Sequence, residues 1–128
     1  MTTYEMGTHL TKSQIMSGTG DVKSSKVIGN NTVEYVRENG DRVIRHFTTD
    51  ILTFKSDGTI IFNTNGHLNS TTKSRMNEYQ KHVVIWTDKR VWYAATRPRV
   101  VFDKNDDRKV VYQDGMTWHP ERGFENVT

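Results

Sequence analysis

Residues 32–47 read T-V-E-Y-V-R-E-N-G-D-R-V-I-R-H-F, two alternating runs on either side of Asn39-Gly40. Alternation at period two marks a half-buried strand, and Asn-Gly is a preferred two-residue hairpin turn, so residues 32–38 and 42–47 are expected to pair antiparallel. Outward from there, residues 51–55 (ILTFK) and 59–63 (TIIFN) flank Ser56-Asp57-Gly58 and repeat the arrangement. Four strands thus precede Gly66.

After that point the period changes. Met76, Tyr79 and Val83 fall at i, i+3 and i+7, which predicts a helix over residues 71–82 with that stripe against the sheet. Lys73, Asn77 and Lys81 make a second stripe at steps of four, expected beside the first and nearer solvent or a ligand. Beyond the helix, residues 83–86 and 91–95 flank the turn 87–90, and residues 100–102 and 109–113 flank the turn 104–107. The expected fold class is α+β, a mostly antiparallel β-sheet of about six or more strands with a small helical insertion after the fourth strand. No repeat, Pro-rich linker or composition shift divides the chain, so residues 1–128 read as a single domain. Residues 1–29 are rich in Ser, Thr and Gly with few apolar anchors, and residues 119–128 carry no pattern, so both are expected to be loosely ordered.

At 128 residues the chain is long enough to bury a core without disulfides or metal. It has no cysteine, which excludes a disulfide scaffold, a thiol nucleophile and a thiolate zinc site and is compatible with a reducing cytoplasm. The first residues, MTTYEMGTHL, lack the basic start and apolar core of a secretory signal, and no apolar run approaches a membrane span. The expected setting is soluble and intracellular, with no membrane partner. Eighteen Lys and Arg against 15 Asp and Glu leave a charge of +3, too mild and dispersed for a duplex-binding surface, so nucleic acid is not the expected partner. A hydrophobic content of 34% implies a thin core that oligomerisation would help to complete.

Chemistry-bearing motifs are scarce. The five histidines, His9, His46, His67, His82 and His119, never pair at metal-ligand spacing, and H-E-x-x-H, D-x-D-x-D-G and Walker patterns are absent. No metal and no cofactor is expected. No G-x-S-x-G elbow occurs, and of the three carboxylates that could form an acid–base pair, Asp50, Asp57 and Asp114, the last two each precede glycine in a turn signature. The expectation is binding, not catalysis. Its place is residues 66–77, G-H-L-N-S-T-T-K-S-R-M-N, where a ring, a helix start and a short row of cations meet. The hydroxyls offer N-caps, and free amides of a first helical turn attract phosphate or carboxylate.

The segment 30–77 also resembles a known family. Its pattern G-N-N-T-V, V-I-R-H-F-T-T-D-I, D-G-T-I-I-F-N-T-N-G-H and T-T-K-S-R-M-N is similar to that of the phage-encoded Thoeris anti-defence sponges, with a weaker echo at Tyr112-Gln113-Asp114-Gly115-Met116. These proteins sequester cyclic ADP-ribose isomers made by TIR-domain immune enzymes, and some also hold cyclic oligonucleotides. The resemblance implies a cyclic nucleotide as partner, a homo-oligomer (a dimer or dimer-based hexamer) with pockets shared between protomers, and action in the cytoplasm of the infected bacterial host. It places an important ring at His67 and an important asparagine at Asn77, ten positions later, and adds Met116 through the echo. Two departures stand out: His67 occupies a position where Phe or Trp is expected, and Asn65 one where a second glycine is expected.

Each residue carries a functional and an ordinary reading. His67 is either a solvated turn histidine or a ring for adenine, a contact worth about 1–3 kcal/mol. Asn77 is a polar helix-surface residue or a carboxamide that reads an adenine edge. Thr71, Thr72, Lys73 and Arg75 make an ordinary capped first turn or a diphosphate site, and Arg45 is an exposed strand arginine or a cation aimed into the pocket. His67→Ala and Asn77→Ala are both expected to abolish binding and leave the unliganded melting temperature nearly unchanged. A ligand of roughly 35 non-hydrogen atoms at about 0.3 kcal/mol per atom gains on the order of 10 kcal/mol, a Kd of tens of nanomolar, which suffices for a stoichiometric sponge. The alternative function is a small β-rich phage protein that binds single-stranded nucleic acid or a host protein through its β surface, where Lys89-Arg90-Val91-Trp92-Tyr93 interleaves cations with rings.

Overall fold

The computed structural model describes residues 22–97 and 109–127. In chain order these residues form β1 (Val22–Gly29), β2 (Thr32–Arg37), β3 (Arg42–His46), β4 (Thr49–Phe54), β5 (Ile60–Phe62), α1 (Ser70–Glu78), β6 (Val83–Asp88), β7 (Val91–Thr96), β8 (Val110–Val111), β9 (Thr117–His119) and β10 (Gly123–Glu125). One sheet has the order β1-β2-β3-β4-β5-β9-β10 and the other β6-β7-β8. Every neighbouring pair is antiparallel. The α+β class, with antiparallel sheets and, among the described residues, one short helix inserted between strands, is the expected one. Among the described residues, no helix is long and apolar enough to cross a membrane.

Three boundaries differ from expectation. Residues 22–29, expected to be loose, pair along β2, so five strands precede Gly66. Residues after Trp118, also expected to be loose, complete β9 and form β10. The helix stops at Glu78 and not at residue 82. The cause is Gln80, whose carboxamide donates to the Met76 and Val83 carbonyls (2.9 and 2.6 Å) and accepts from the His82 and Val83 amides (3.0 and 2.8 Å). A side chain that binds the helix end and the next strand at once turns the chain directly into β6. The expected strand 100–102 and turn 104–107 lie outside the described residues.

The hairpins are real, but their turns are not the simplest ones. Gly40 N–H donates to the Arg37 carbonyl (2.9 Å) and Arg37 N–H to that of Asp41 (2.9 Å), with Gly40 at φ +93° and Asn39 not left-handed. That is a three-residue loop closed by a glycine bulge, not the two-residue Asn-Gly turn. The β4–β5 loop repeats it, with Gly58 also at φ +93° and bonds from Gly58 to Lys55 (3.1 Å) and from Lys55 to Thr59 (2.8 Å). The tightest turn is Lys89-Arg90, both left-handed at φ 50° and 68° between the paired Asp88 and Val91. Such a turn suits strand twist but normally carries Asn-Gly. The double variant Lys89→Asn/Arg90→Gly is expected to stabilise the fold by about 1 kcal/mol, read as a raised urea midpoint at unchanged slope.

The main core joins both sheets and the helix: Ile44, Leu52, Ile60 and Phe62 from the large sheet, Met76 from α1, and Val83, Ile85 and Ala94 from the small one. A register shift between β3 and β4 leaves Ile51 as an extra residue opposite the Ile44–Arg45 step. Simple alternation would send Ile51 and Leu52 to opposite faces; the bulge lets both join this core. Val33, Tyr35 and Val43 form a second buried cluster with Val27.

Candidate functional site

Two adjacent turns and the start of α1 surround a cleft of about 610 Å³. The turns are Asn30-Asn31, between β1 and β2, and Phe47-Thr48, between β3 and β4; Phe47 N–H donates to the Asn31 carbonyl at 2.7 Å and locks them together. Opposite stand His67, Asn69, Thr71, Thr72 and Arg75. The volume falls within the roughly 300–1,000 Å³ of small-molecule sites. Among the described residues, no carboxylate side chain lines it.

The helix start is built by local capping. Asn69 is the N-cap, extended at φ −122° and ψ 164°, and its side chain accepts from Thr72 N–H at 2.9 Å. Lys73 N–H reaches the Asn69 carbonyl (3.1 Å), the first helical bond. The cap therefore leaves the amides of Ser70 and Thr71 for a partner outside the helix, at its positive end. Arg75 reaches Glu78 through Nη1 at 3.1 Å, while its buried Nε has no hydrogen-bond partner among the described residues. An unsatisfied buried donor beside an open cleft is a place for a ligand acceptor.

Behind the cleft, Thr32 donates its hydroxyl proton to the Asn30 carbonyl (2.7 Å), so the 3.2 Å contact between Thr32 Oγ1 and His46 Nδ1 requires the proton on Nδ1. Burial and the nearby Arg75 charge hold His46 below its usual pKa, against the opposing pull of the Asn31 carbonyl. His46 is thus a neutral ring fixed in orientation.

The turn that carries His67 is held from far along the chain. Asp114 accepts from Thr64 N–H (2.7 Å), the Thr64 hydroxyl (2.9 Å), Gly66 N–H (3.0 Å) and the Tyr112 hydroxyl (2.7 Å). Burial pushes its carboxyl up, but these hydrogen bonds outweigh that and hold it below the usual carboxylate range. Burial together with the bond to Asp114 raises the pKa of Tyr112. Met116, two residues on, is fully buried in the core beside Phe62, whose N–H bonds its carbonyl at 3.0 Å.

Of the expected site residues, the cleft brings together His67, Thr71, Thr72 and Arg75. The other four sit elsewhere. Asn77 spends its carboxamide on Ile85, donating to the carbonyl (2.8 Å) and accepting from the amide (2.9 Å). Lys73 donates to Thr87 Oγ1 (2.7 Å) and lies 5.7 Å from the Trp92 ring centroid. The stripe expected beside solvent or a ligand is therefore the one that docks on β6, because an edge strand offers backbone groups that must be satisfied. Arg45 bonds Asp50 at 2.6 Å, and Asp50 also accepts from Arg37 and Tyr35 (2.9 and 2.6 Å), so Arg45 belongs to a buried polar cluster and not to the cleft. Met116 is core, as above.

Sequence reasoning missed His46, Phe47 and Asn69. Asn69 was legible as a capping residue; the two rings reach the cleft only because the end of β3 and its turn into β4 line it together with the loop before α1. Among the described residues, no three His, Asp or Glu cluster as metal ligands. The interleaved segment 89–93 splits across the small sheet: Trp92 is buried in the core, whereas Tyr93 stacks on Trp86 at 5.9 Å with Lys109 at 4.9 Å from its ring. No family model matches the chain, and neither a curated protein nor a solved structure matches it.

Proposed function

We propose that the protein binds and sequesters a cyclic nucleotide immune signal, a cyclic ADP-ribose isomer or a cyclic oligonucleotide, without converting it. On this reading it is a phage anti-defence protein, a homo-oligomer acting in the cytoplasm of the infected host. The observation that carries the reading is the meeting, in one cleft that no carboxylate among the described residues lines, of three rings (His46, Phe47, His67), Thr71 of the helix start, whose amide the Asn69 cap leaves open, and Arg75 with a spare donor. Rings take a base, and helix-start amides with a guanidinium take a diphosphate. Leu68, 55% exposed, is apolar surface for a second protomer to cover.

The test is a thermal-shift screen against cyclic ADP-ribose isomers and cyclic di- and trinucleotides. Binding at a hundredfold excess over Kd adds about 2.7 kcal/mol to apparent stability. His67→Ala and Arg75→Ala should each abolish the shift. Heat release followed by analysis of the ligand separates storage from catalysis: intact ligand is expected, and a converted product refutes sequestration. The outer face carrying Trp86, Tyr93 and Lys109 supports the alternative, single-stranded nucleic acid. Strongly salt-dependent oligonucleotide binding without any response to cyclic nucleotides would favour it.

A further inference from the structure

The strangest backbone at the cleft belongs to Phe47. Of the six described non-glycine residues with positive φ, three are asparagines (Asn31, Asn65, Asn126), two are Lys89 and Arg90 at an exposed turn, and the sixth is Phe47 at φ 54°. Asparagine tolerates the left-handed region; a residue with a bulky aromatic side chain is an outlier there. Packing does not explain the choice, because the ring belongs to neither core cluster and is 55% exposed.

The ring is nonetheless held firmly. Its backbone amide is clamped on the Asn31 carbonyl at 2.7 Å. Its ring meets His46 edge-on, centroids 4.7 Å apart at 71°, and His46 is itself tethered through Thr32 to Asn30. A strained backbone, a braced ring and an open surface coincide where Arg75 and Thr71 of the helix start also line the cleft. Strain kept at a binding site is commonly the cost of aiming a side chain before the ligand arrives.

Resting on the nucleotide reading above, we propose that Phe47 is the pre-aimed stacking platform for the base of the ligand, whose phosphates lie toward Arg75 and the Ser70 and Thr71 amides. Arg75 and the amides bind any phosphorylated sugar; Phe47 makes the site prefer one that carries a base.

Calorimetric titration of wild type, Phe47→Asn and Phe47→Trp tests this with AMP, ADP-ribose and cyclic ADP-ribose as base-bearing probes and ribose 5-phosphate as a base-free one. Asparagine suits the left-handed backbone, which offsets the loss of a half-exposed ring, so the Phe47→Asn melting temperature should stay within about 3 °C of wild type. Its affinity for the base-bearing probes should fall about 5- to 150-fold while that for ribose 5-phosphate is unchanged. Phe47→Trp should keep the wild-type preference. If Phe47→Asn binds a base-bearing probe as wild type does, or loses ribose 5-phosphate equally, the platform is wrong and the nucleotide reading stands. If wild type binds none of the four probes and no cyclic di- or trinucleotide, both are overturned.

Discussion

Asp114→Ala is expected to lower stability by about 2–3 kcal/mol and, on the proposed function, to abolish ligand binding, although Asp114 does not line the cleft. Its carboxylate gathers Thr64 N–H, the Thr64 and Tyr112 hydroxyls and Gly66 N–H. Thr64 and Tyr112 are buried, and without an acceptor their donors lose partners that water replaces only in part. The turn bearing His67 is then free to move relative to Asn69 and the helix start. Chemical denaturation at pH 7 measures the first effect, and titration well below the melting temperature measures the second. The pH dependence has a definite sign. A carboxyl held below its usual pKa in the folded state contributes stability that is complete above the unfolded pKa, near 3.9, and is lost as pH falls through the lower folded value. Asp114→Asn should therefore flatten the acid limb of the stability profile below about pH 4. Wild-type stability at neutral pH in Asp114→Ala would refute the latch.

The second large effect is at Asn77, and it reverses the sequence-based expectation. Asn77→Ala should cost about 2–4 kcal/mol, because it strands both the amide and the carbonyl of Ile85 at a buried edge. Three side chains run down β6: Lys73 and Asn77 of the helix hold the Thr87 hydroxyl and Ile85, and Gln80, just past the helix end, holds Val83. Helix α1 thus acts as a surrogate neighbouring strand and closes an edge that would otherwise invite pairing with another chain. A lowered melting temperature with near-normal ligand affinity at low temperature is the expected outcome. An unchanged melting temperature with lost binding would return Asn77 to the site.

These two residues show where sequence reading reaches its limit. The helix was legible from the stripe Met76, Tyr79 and Val83, and Met76 is indeed buried in the core, but Tyr79 is already the C-cap and Val83 opens β6. Its polar stripe was legible as a stripe, but nothing local says whether Lys73 and Asn77 face a ligand or an edge strand seven or more residues further on. Asp114 was legible as a turn residue before glycine; its partners Thr64 and Gly66 lie 50 and 48 positions away. At the cleft, His67, Thr71, Thr72 and Arg75 came from one continuous segment and so could be read together. Phe47 and His46 come from a strand end twenty residues earlier.

Period-two alternation and the turn residues Asn39-Gly40 and Asp57-Gly58 determined the antiparallel hairpins by themselves, because those preferences act between neighbours along the chain. The capping of α1 is local in the same way, although the cap is Asn69 and not one of the Ser70, Thr71 and Thr72 hydroxyls that the sequence offered. Only the tertiary structure decided the bulge that puts Ile51 in the core, the docking of α1 along β6, the latch from Asp114 and the ring that Phe47 brings to the cleft. Each of these depends on satisfying buried backbone groups or filling core volume across large sequence separations, and no local pattern encodes which distant partner will do so.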